Sequence, residues 1–131
     1  MIQANELRIG NYVLINGKFC KTEAITGCMV SVSGYEINRF KPFEFKHLEP
    51  IQLTEEILLK CGFEKKQEWY RHNEMKKYTI ESGVIDLTKG RYHIRQYISK
   101  DKSLHLSDLK YLHQLQNLYF ALTGKELIIK P

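Results

Sequence analysis

The sequence has few of the features that mark several classes of protein. Only three of its 131 residues are proline, and no apolar run approaches the roughly 18 residues that a membrane-spanning helix needs. Eight tyrosines, six phenylalanines and one tryptophan exclude a disordered composition. The N-terminal residues lack the basic flank and apolar stretch of a signal peptide. We therefore expect a folded domain that makes no contact with a membrane.

Cysteine is scarce, and its placement argues against disulfide chemistry. Cys20, Cys28 and Cys61 are an odd number of thiols, and none of them forms a CxxC pair. A reduced, cytoplasmic setting fits this pattern, with the thiols buried as small hydrophobic groups. Cys61 falls at the C-terminal end of a predicted helix, where the helix dipole raises the pKa of a thiol and so disfavours a nucleophile.

Charge is distributed unevenly along the chain and divides it into two parts. The net charge is +5 and the pI is about 9.1, which suggests nucleic acid as a partner without requiring it. Residues 1–52 carry a net charge of +1, and residues 53–131 carry +4. Pro50 is the only residue near this boundary that typically interrupts secondary structure. The sequence therefore predicts two subdomains, 1–52 and 53–131, which pack as one unit.

Short strands with turns between them dominate residues 1–52. The apolar runs Tyr12–Ile15 and Phe19–Ile25 flank Asn16-Gly17, the pair that a type I′ hairpin turn favours. This spacing predicts a small N-terminal β-barrel of the Src-homology or Tudor type, with an open antiparallel sheet as the alternative. The three further predicted strands cover residues 28–33, 35–40 and 48–53.

A helix and an antiparallel meander are predicted to follow. Thr54 is a natural N-cap and Gly62 a natural stop, so the first helix should cover 54–61. Runs of alternating polarity separated by short turns then predict a β-meander of three or four strands over 68–98. A polar loop is expected over 99–105. The overall fold class is therefore α+β.

A long C-terminal helix completes the predicted fold. Ser107 reads as its N-cap and Thr123-Gly124 as its end, so we expect a helix over 108–123. Most of its apolar residues fall on one broad face, which Phe120 extends. Leu127–Ile129 reads as a final strand.

No pattern of catalytic or metal-binding residues emerges. The histidines lie far apart and lack the short spacing of metal ligands. Gly17-Lys18 and Gly124-Lys125 lack the remaining residues of a phosphate-binding loop, and no GxSxG motif is present. We therefore expect no catalytic residues, no metal site, no cofactor and no enzymatic activity.

Basic and aromatic residues alternate in the predicted meander, as in proteins that bind single-stranded nucleic acid. Alternation along the last predicted strand places four of them on one face of the sheet. The alternative is that basic side chains on an outer face simply keep the sheet in solution. The candidate nucleic-acid-binding residues are Lys65, Lys66, Trp69, Arg71, Arg91, His93, Arg95 and Tyr97.

Three segments resemble, in the same order, a group of small proteins from Bacteroidetes genomes and their phages and integrated elements. The segments are E-L-R-I-G-N-Y-V at Glu6–Val13, P-I-Q-L-T-E-E-I-L-L-K-C-G-F at Pro50–Phe63 and Y-L-H-Q-L-Q-N-L-Y-F-A-L-T-G-K-E-L at Tyr111–Leu127. The resemblance covers nearly the whole chain. It implies a bacterial cytoplasm and a phage-derived or mobile element, but no activity and no catalytic residue.

Polar residues in the third segment favour a structural role. His113, Gln116 and Asn117 lie beside the apolar face of the predicted helix, where their side chains could bond to the backbone of neighbouring segments. A small chain without catalytic motifs is typical of an interaction protein. We therefore expect binding to a protein partner or self-association, with nucleic-acid binding through the meander as the alternative.

Overall fold

The structure is a computed structural model and describes residues 2–27, 29–34, 42–66, 69–71, 84–88, 91–99 and 102–130. The chain divides into two compact units. Unit 1 contains Met1–Gln52 and Tyr111–Asn117, and unit 2 contains Leu53–Lys110 and Leu118–Pro131. The division after Gln52 coincides with the boundary that charge and pattern predict. The segment 111–117 belongs with unit 1, although its sequence lies in the second predicted subdomain.

A curled antiparallel sheet of four strands forms most of unit 1, with the strands in sequence order. Two short 3-10 turns, Ala4–Glu6 and Phe45–His47, accompany the sheet. The strands are β1 (Tyr12–Ile15), β2 (Lys18–Thr26), β3 (Met29–Ser33) and β4 (Pro42–Glu44).

The hairpin between β1 and β2 follows directly from its turn residues. Asn16 has a φ of 50° and Gly17 a φ of 77°, so both central residues lie in the left-handed region. Glycine adopts this conformation without strain and asparagine tolerates it, which is why the pair favours this turn. The predicted hairpin is confirmed.

Alternation along β3 separates a buried face from a more exposed one. Val30 and Val32 are buried, whereas Ser31 and Ser33 are half-buried. This confirms the predicted strand 28–33 over residues 29–33. Cys28 and the predicted strand 35–40 lie outside the described residues. The core of unit 1 is formed by Ile2, Leu7, Val13, Ile15, Cys20, Val30, Val32 and Leu48.

The predicted strand over 48–53 is wrong. Only two isolated antiparallel bridges form there, Leu14 with Glu49 and Gln52 with Tyr111, and the first has N···O distances of 2.8 and 2.9 Å. Pro50 has no N–H to donate to a ladder, and the carbonyl of Ile51 accepts from the N–H of Leu112 at 2.8 Å. The described strands therefore form a half-barrel, and a closed Tudor-like barrel is not established.

The first helix, α1 (Glu55–Lys60), has both of its predicted caps. The Thr54 hydroxyl accepts from the N–H of Ile57 at 3.2 Å. Gly62 has a φ of 89°, and the N–H of Phe63 reaches back to the carbonyl of Leu58 at 3.1 Å, which completes a glycine-terminated C-cap.

Cys61, which follows α1, is a buried free thiol. Its pKa is raised to about 12 by loss of solvent on burial. The direction of this shift agrees with the sequence argument, and burial is its cause. Protonation at neutral pH makes this thiol a poor nucleophile.

An antiparallel meander of five described strands forms the sheet of unit 2, with the strands in sequence order. The predicted meander is confirmed, and it extends beyond 68–98 at both ends. Within the predicted meander, residues 72–83 lie outside the described residues. The strands are β5 (Glu64–Lys66), β6 (Trp69–Arg71), β7 (Val84–Thr88), β8 (Arg91–Ser99) and β9 (Lys102–Leu109).

The predicted loop over 99–105 and the predicted helix start at 108 are both wrong. Residues 103–107 alternate polar and leucine in the sequence, which is the period of a strand, and β9 pairs with β8 along this stretch. The second helix, α2, covers Leu112–Thr123. Its start is stabilised by the Gln114 side chain, which accepts from the N–H of Tyr111 at 3.0 Å.

The C-terminal end of α2 is as predicted, but two features around it differ. Gly124, with a φ of 71°, ends the helix. Phe120 was expected to extend the apolar face, yet its side chain is 39% exposed. The segment Leu127–Ile129 is not a strand: the N–H of Lys130 donates to the carbonyl of Lys60 at 2.8 Å, and this single bond builds no ladder.

Candidate functional sites

A cluster of polar side chains joins the N-terminal segment of unit 1 to the first turns of α2. We call it the polar cluster. The residues on α2 are the three to which the sequence assigned a structural role, and their partners come from the segment that precedes β1. Its members are Glu6, Arg8, Asn11, His113, Gln116 and Asn117.

Asn117 makes three hydrogen bonds in this cluster. Its amide nitrogen donates to the carbonyl of Glu6 at 2.7 Å. Its Oδ1 accepts from Nδ2 of Asn11 at 2.9 Å and from Nε of Arg8 at 3.3 Å. The Asn117 side chain thus forms hydrogen bonds with one backbone group and two side chains that lie more than 100 residues away in the sequence.

Gln116 bridges two backbone groups at the entry to β1. Its Oε1 accepts from the N–H of Tyr12 at 2.9 Å, and its Nε2 donates to the carbonyl of Gly10 at 3.2 Å. The side chain is 1% exposed, so water cannot replace these partners.

His113 is fully buried and bonds to Glu6 through Nε2 at 3.1 Å from Oε2. Nε2 carries the proton because an ionised carboxylate only accepts. The imidazole stacks on Tyr111, with 5.7 Å between the ring centroids and 11° between the planes. Within the described part of the chain, Nδ1 has no hydrogen-bond partner.

The carboxyl group of Glu6 has a lowered pKa in the folded protein. The hydrogen bond with His113 lowers the pKa of Glu6 below its ordinary value of 4.5, and the N–H of Gln3 at 3.1 Å acts in the same direction. A carboxylate whose pKa is lower in the folded than in the unfolded state stabilises the folded state. The stabilisation is complete above the unfolded-state pKa and is lost as the pH falls through the folded-state pKa.

We therefore expect acid to weaken the fold through Glu6. Chemical denaturation of the wild type should show the free energy of unfolding fall as the pH is lowered from 5 to 3. In Glu6→Gln the fall should be smaller, because the side chain no longer titrates, whereas at pH 7 the variant should be the less stable of the two. Parallel pH profiles for the two proteins would contradict this assignment.

The polar cluster has the features of a structural site. Gln116 and His113 are buried, and their partners are segments of the same unit, so a ligand would have to displace them. The sequence identified the three helical residues but not Glu6, Arg8 and Asn11. No local signal marks these partners, because they lie more than 100 residues from the α2 residues in the sequence.

A cleft of about 520 Å³ lies beside β4 in unit 1, and its volume is within the range of ligand-binding clefts. Sequence reasoning missed this cleft, because residues from three separate stretches of the chain line it. Ile15 and Asn16 belong to β1 and the turn after it, Met29 belongs to β3, and the others belong to β4 and the residues that follow it. Its lining consists of Ile15, Asn16, Met29, Pro42, Phe43, Glu44, Lys46, His47 and Glu49.

The lining of the cleft combines apolar and acidic groups. Met29 and Phe43 are half-buried, and Phe43 packs against the core of unit 1. The Glu44 carboxylate lies 3.2 Å from Nζ of Lys46 in an exposed ion pair. Glu49 is exposed and forms no ion pair with any residue in the described ranges. With His47 counted as neutral, the described lining of the cleft therefore carries one excess negative charge in a chain whose net charge is +5.

The register of the meander places most of the candidate nucleic-acid-binding residues on one face. Directly paired residues of an antiparallel sheet share a face. Lys66 pairs with Trp69, Trp69 with Asp86, and Asp86 with His93. The same reasoning assigns Arg71, Arg91, Arg95 and Tyr97 to this face, which we call the mixed face.

Lys65 lies on the opposite face from the other seven. It pairs with Tyr70, one residue out of phase with Trp69 and Arg71. Its Nζ also lies 2.7 Å from Oε1 of Glu55, so its charge is already partnered. The register therefore assigns Lys65 and the other seven candidates to opposite faces of the sheet.

Acidic residues share the mixed face with the basic ones. Asp86 and Asp108 both pair with His93, and Glu64 pairs with Arg71. Opposite charges at directly paired positions of a sheet attract each other. The register therefore dilutes the positive charge that the sequence alone suggested for this face.

Among the described residues, no helix is long and apolar enough to cross a membrane. In the same ranges, no three side chains of the His, Cys, Asp or Glu type group together as metal ligands would. Comparison of the chain with protein-family models, with curated proteins and with solved structures returned no match.

Proposed function

We propose that the chain is a non-enzymatic interaction protein that binds a protein partner through the cleft beside β4. The observation that carries this proposal is the composition of the cleft: an apolar lining of Met29, Pro42 and Phe43 beside exposed charged residues. Protein interfaces combine an apolar centre with a polar rim in this way. The resemblance to small proteins of phages and integrated elements supports a role in a mobile element within a bacterial cytoplasm.

The chemistry of the lining favours binding over catalysis. Among the described residues that line the cleft, none carries a hydroxyl or thiol group that could act as a nucleophile. Cys20 and Cys61 are buried elsewhere, and burial raises the pKa of both thiols. The groups around the cleft can supply apolar contact and charge, which suits recognition of a peptide segment.

The bridge between Leu14 and Glu49 supports a finer assignment of the fold. We infer that the curled sheet is a small barrel of the Src-homology or Tudor type, nearly closed where the chain returns from β4 to the edge of β1. The two backbone hydrogen bonds of this bridge support that inference. Glu49 lies on this return and also lines the cleft.

Selection from a random peptide library tests the proposed function without knowledge of the partner. Dodecapeptides displayed on phage are selected for binding to the full chain, and their affinities for the wild type and for Glu44→Trp are then measured. The large tryptophan side chain of this variant fills the cleft from an exposed position of β4. We expect selected peptides to lose at least tenfold in affinity for this variant.

Glu23→Trp is the matched control, because it places the same side chain on an exposed position of β2 away from the cleft. Selected peptides should bind this variant as they bind the wild type. Peptides that bind all three proteins equally, or no enrichment at all, would contradict the proposal. Sedimentation velocity on the same proteins identifies self-association: a wild-type dimer that Glu44→Trp dissociates would make a second copy the partner.

Nucleic-acid binding is the second candidate, since the register brings seven of the eight candidate residues to the mixed face. Fluorescence anisotropy with single- and double-stranded DNA and RNA at about 50 and 200 mM salt tests it, because phosphate contacts weaken steeply over this range. Micromolar binding that is lost at high salt and in Arg91→Ala/Arg95→Ala would favour this function. The acidic residues on the same face lead us to expect no such binding.

A further inference from the structure

We infer that the cleft binds a segment of its partner that carries a lysine or arginine between apolar residues. This inference rests on the proposed function and adds to it the chemistry of the occupant. Three observations support it: the charge of the cleft, its apolar and aromatic lining, and the weakness of its internal ion pair.

The charge of the cleft is opposite in sign to that of the chain. Glu44 and Glu49 supply two negative charges, and Lys46 supplies one positive charge. Because the net charge of the chain is +5, its field repels cations in general, and only a local acidic site attracts them. The same excess of negative charge disfavours phosphate and other anions.

The lining suits the whole side chain of lysine or arginine and not only its charge. These side chains carry an apolar stem that packs on apolar surface while the charged end stays near water. Met29, Pro42 and Phe43 provide such a surface beside the two carboxylates.

Lys46 is positioned where an incoming cation could replace it. Its ion pair with Glu44 spans 3.2 Å, and the two side chains are 65% and 50% exposed. An exposed pair of this kind contributes little to stability, so exchanging Lys46 for a lysine or arginine of the partner costs little. Glu49 is available for the same cation.

The test compares two small probes on the full chain, labelled with ¹⁵N and observed by NMR at about 20 mM salt. The probes are Nα-acetyl-lysine methylamide and Nα-acetyl-norleucine methylamide, which shares the stem and lacks the ammonium group. We expect the lysine probe to shift the amide signals of Asn16, Met29, Phe43, Glu44 and Glu49. Its Kd should be on the order of 10 mM and about fivefold tighter than that of norleucine.

Charge removal provides the decisive variant. Glu49→Gln should reduce the fivefold preference for the lysine probe to less than about twofold and leave the norleucine probe unchanged. Glu23→Gln, an exposed carboxylate outside the cleft, should keep the full preference. Equal binding of the two probes, a preference that survives Glu49→Gln, or signals that shift only elsewhere would each overturn the inference.

The selected peptides separate failure of the inference from failure of the proposed function. Peptides that depend on the cleft but lack lysine and arginine would leave the function standing and overturn the inference about the occupant. Absence of peptides that depend on the cleft would overturn the proposed function itself.

Discussion

Replacing Gln116 by leucine is expected to lower the free energy of unfolding by about 3 kcal/mol. Leucine has a similar volume and is a good helix former, so neither a cavity nor a weaker helix accounts for the loss. The N–H of Tyr12 and the carbonyl of Gly10 would lose their partner, and the side chain that bridges them is 1% exposed. Buried polar groups without partners cost about 1–3 kcal/mol each.

Urea denaturation of wild type and variant gives the measurement, and Gln52→Leu is the matched control. Gln52 is exposed, so its replacement should change the free energy of unfolding by no more than about 0.5 kcal/mol. Equal effects of the two substitutions would show that the two hydrogen bonds of Gln116 add nothing to stability.

Asn117→Ala is expected to destabilise the fold by about 2 kcal/mol, with the melting temperature lowered by about 5–10 °C. Three hydrogen bonds are lost, to Glu6, Asn11 and Arg8. The better helix propensity of alanine recovers about 0.6 kcal/mol of this loss. Differential scanning calorimetry measures the change.

Binding measurements decide whether the role of Asn117 is structural. Asn117 does not line the cleft, so the folded variant should bind peptides selected on the wild type with unchanged affinity. Asn5→Ala makes the same chemical change at an exposed position and should leave both stability and binding unaltered. Unchanged stability together with lost binding would show that Asn117 contacts a ligand.

Elements whose signals are local were predicted correctly. The hairpin at Asn16-Gly17 depends on the conformational freedom of two residues, and α1 depends on Thr54 and Gly62 at its ends. In each case a few adjacent residues decide between conformations by several tenths of a kcal/mol or more, whatever surrounds them. The end of α2 at Gly124 is of the same kind.

Elements were predicted wrongly where a helix signal and a strand signal overlap in the sequence. Ser107 is a good N-cap, but it lies within a polar–leucine alternation that β8 pairs with along its length. The actual start of α2 uses Gln114 as a cap acceptor, which is less distinctive in a sequence than serine or threonine. Pairing with a neighbouring strand outweighed the local preference of Ser107.

The candidate sites differ in how many of their residues can be recognised from the sequence alone. Half of the polar cluster is visible as polar residues beside an apolar helical face, namely His113, Gln116 and Asn117. The cleft is not visible, because Ile15, Met29, Phe43 and Glu49 become neighbours only when the sheet curls. The pairing of Asp86 and Asp108 with His93 likewise becomes visible only in the register of the meander.

The α+β class, the hairpin at Asn16-Gly17, the part of the meander from β6 to β8 and both caps of α1 follow from the sequence, because capping, turn conformation and alternation act between residues close in the chain. Tertiary contacts were needed to show that residues 111–117 belong to unit 1, that Glu6 lies against His113, and that apolar and charged residues line a common cleft. These features depend on contacts between residues tens to more than a hundred positions apart, and a single sequence carries no local signal for such contacts.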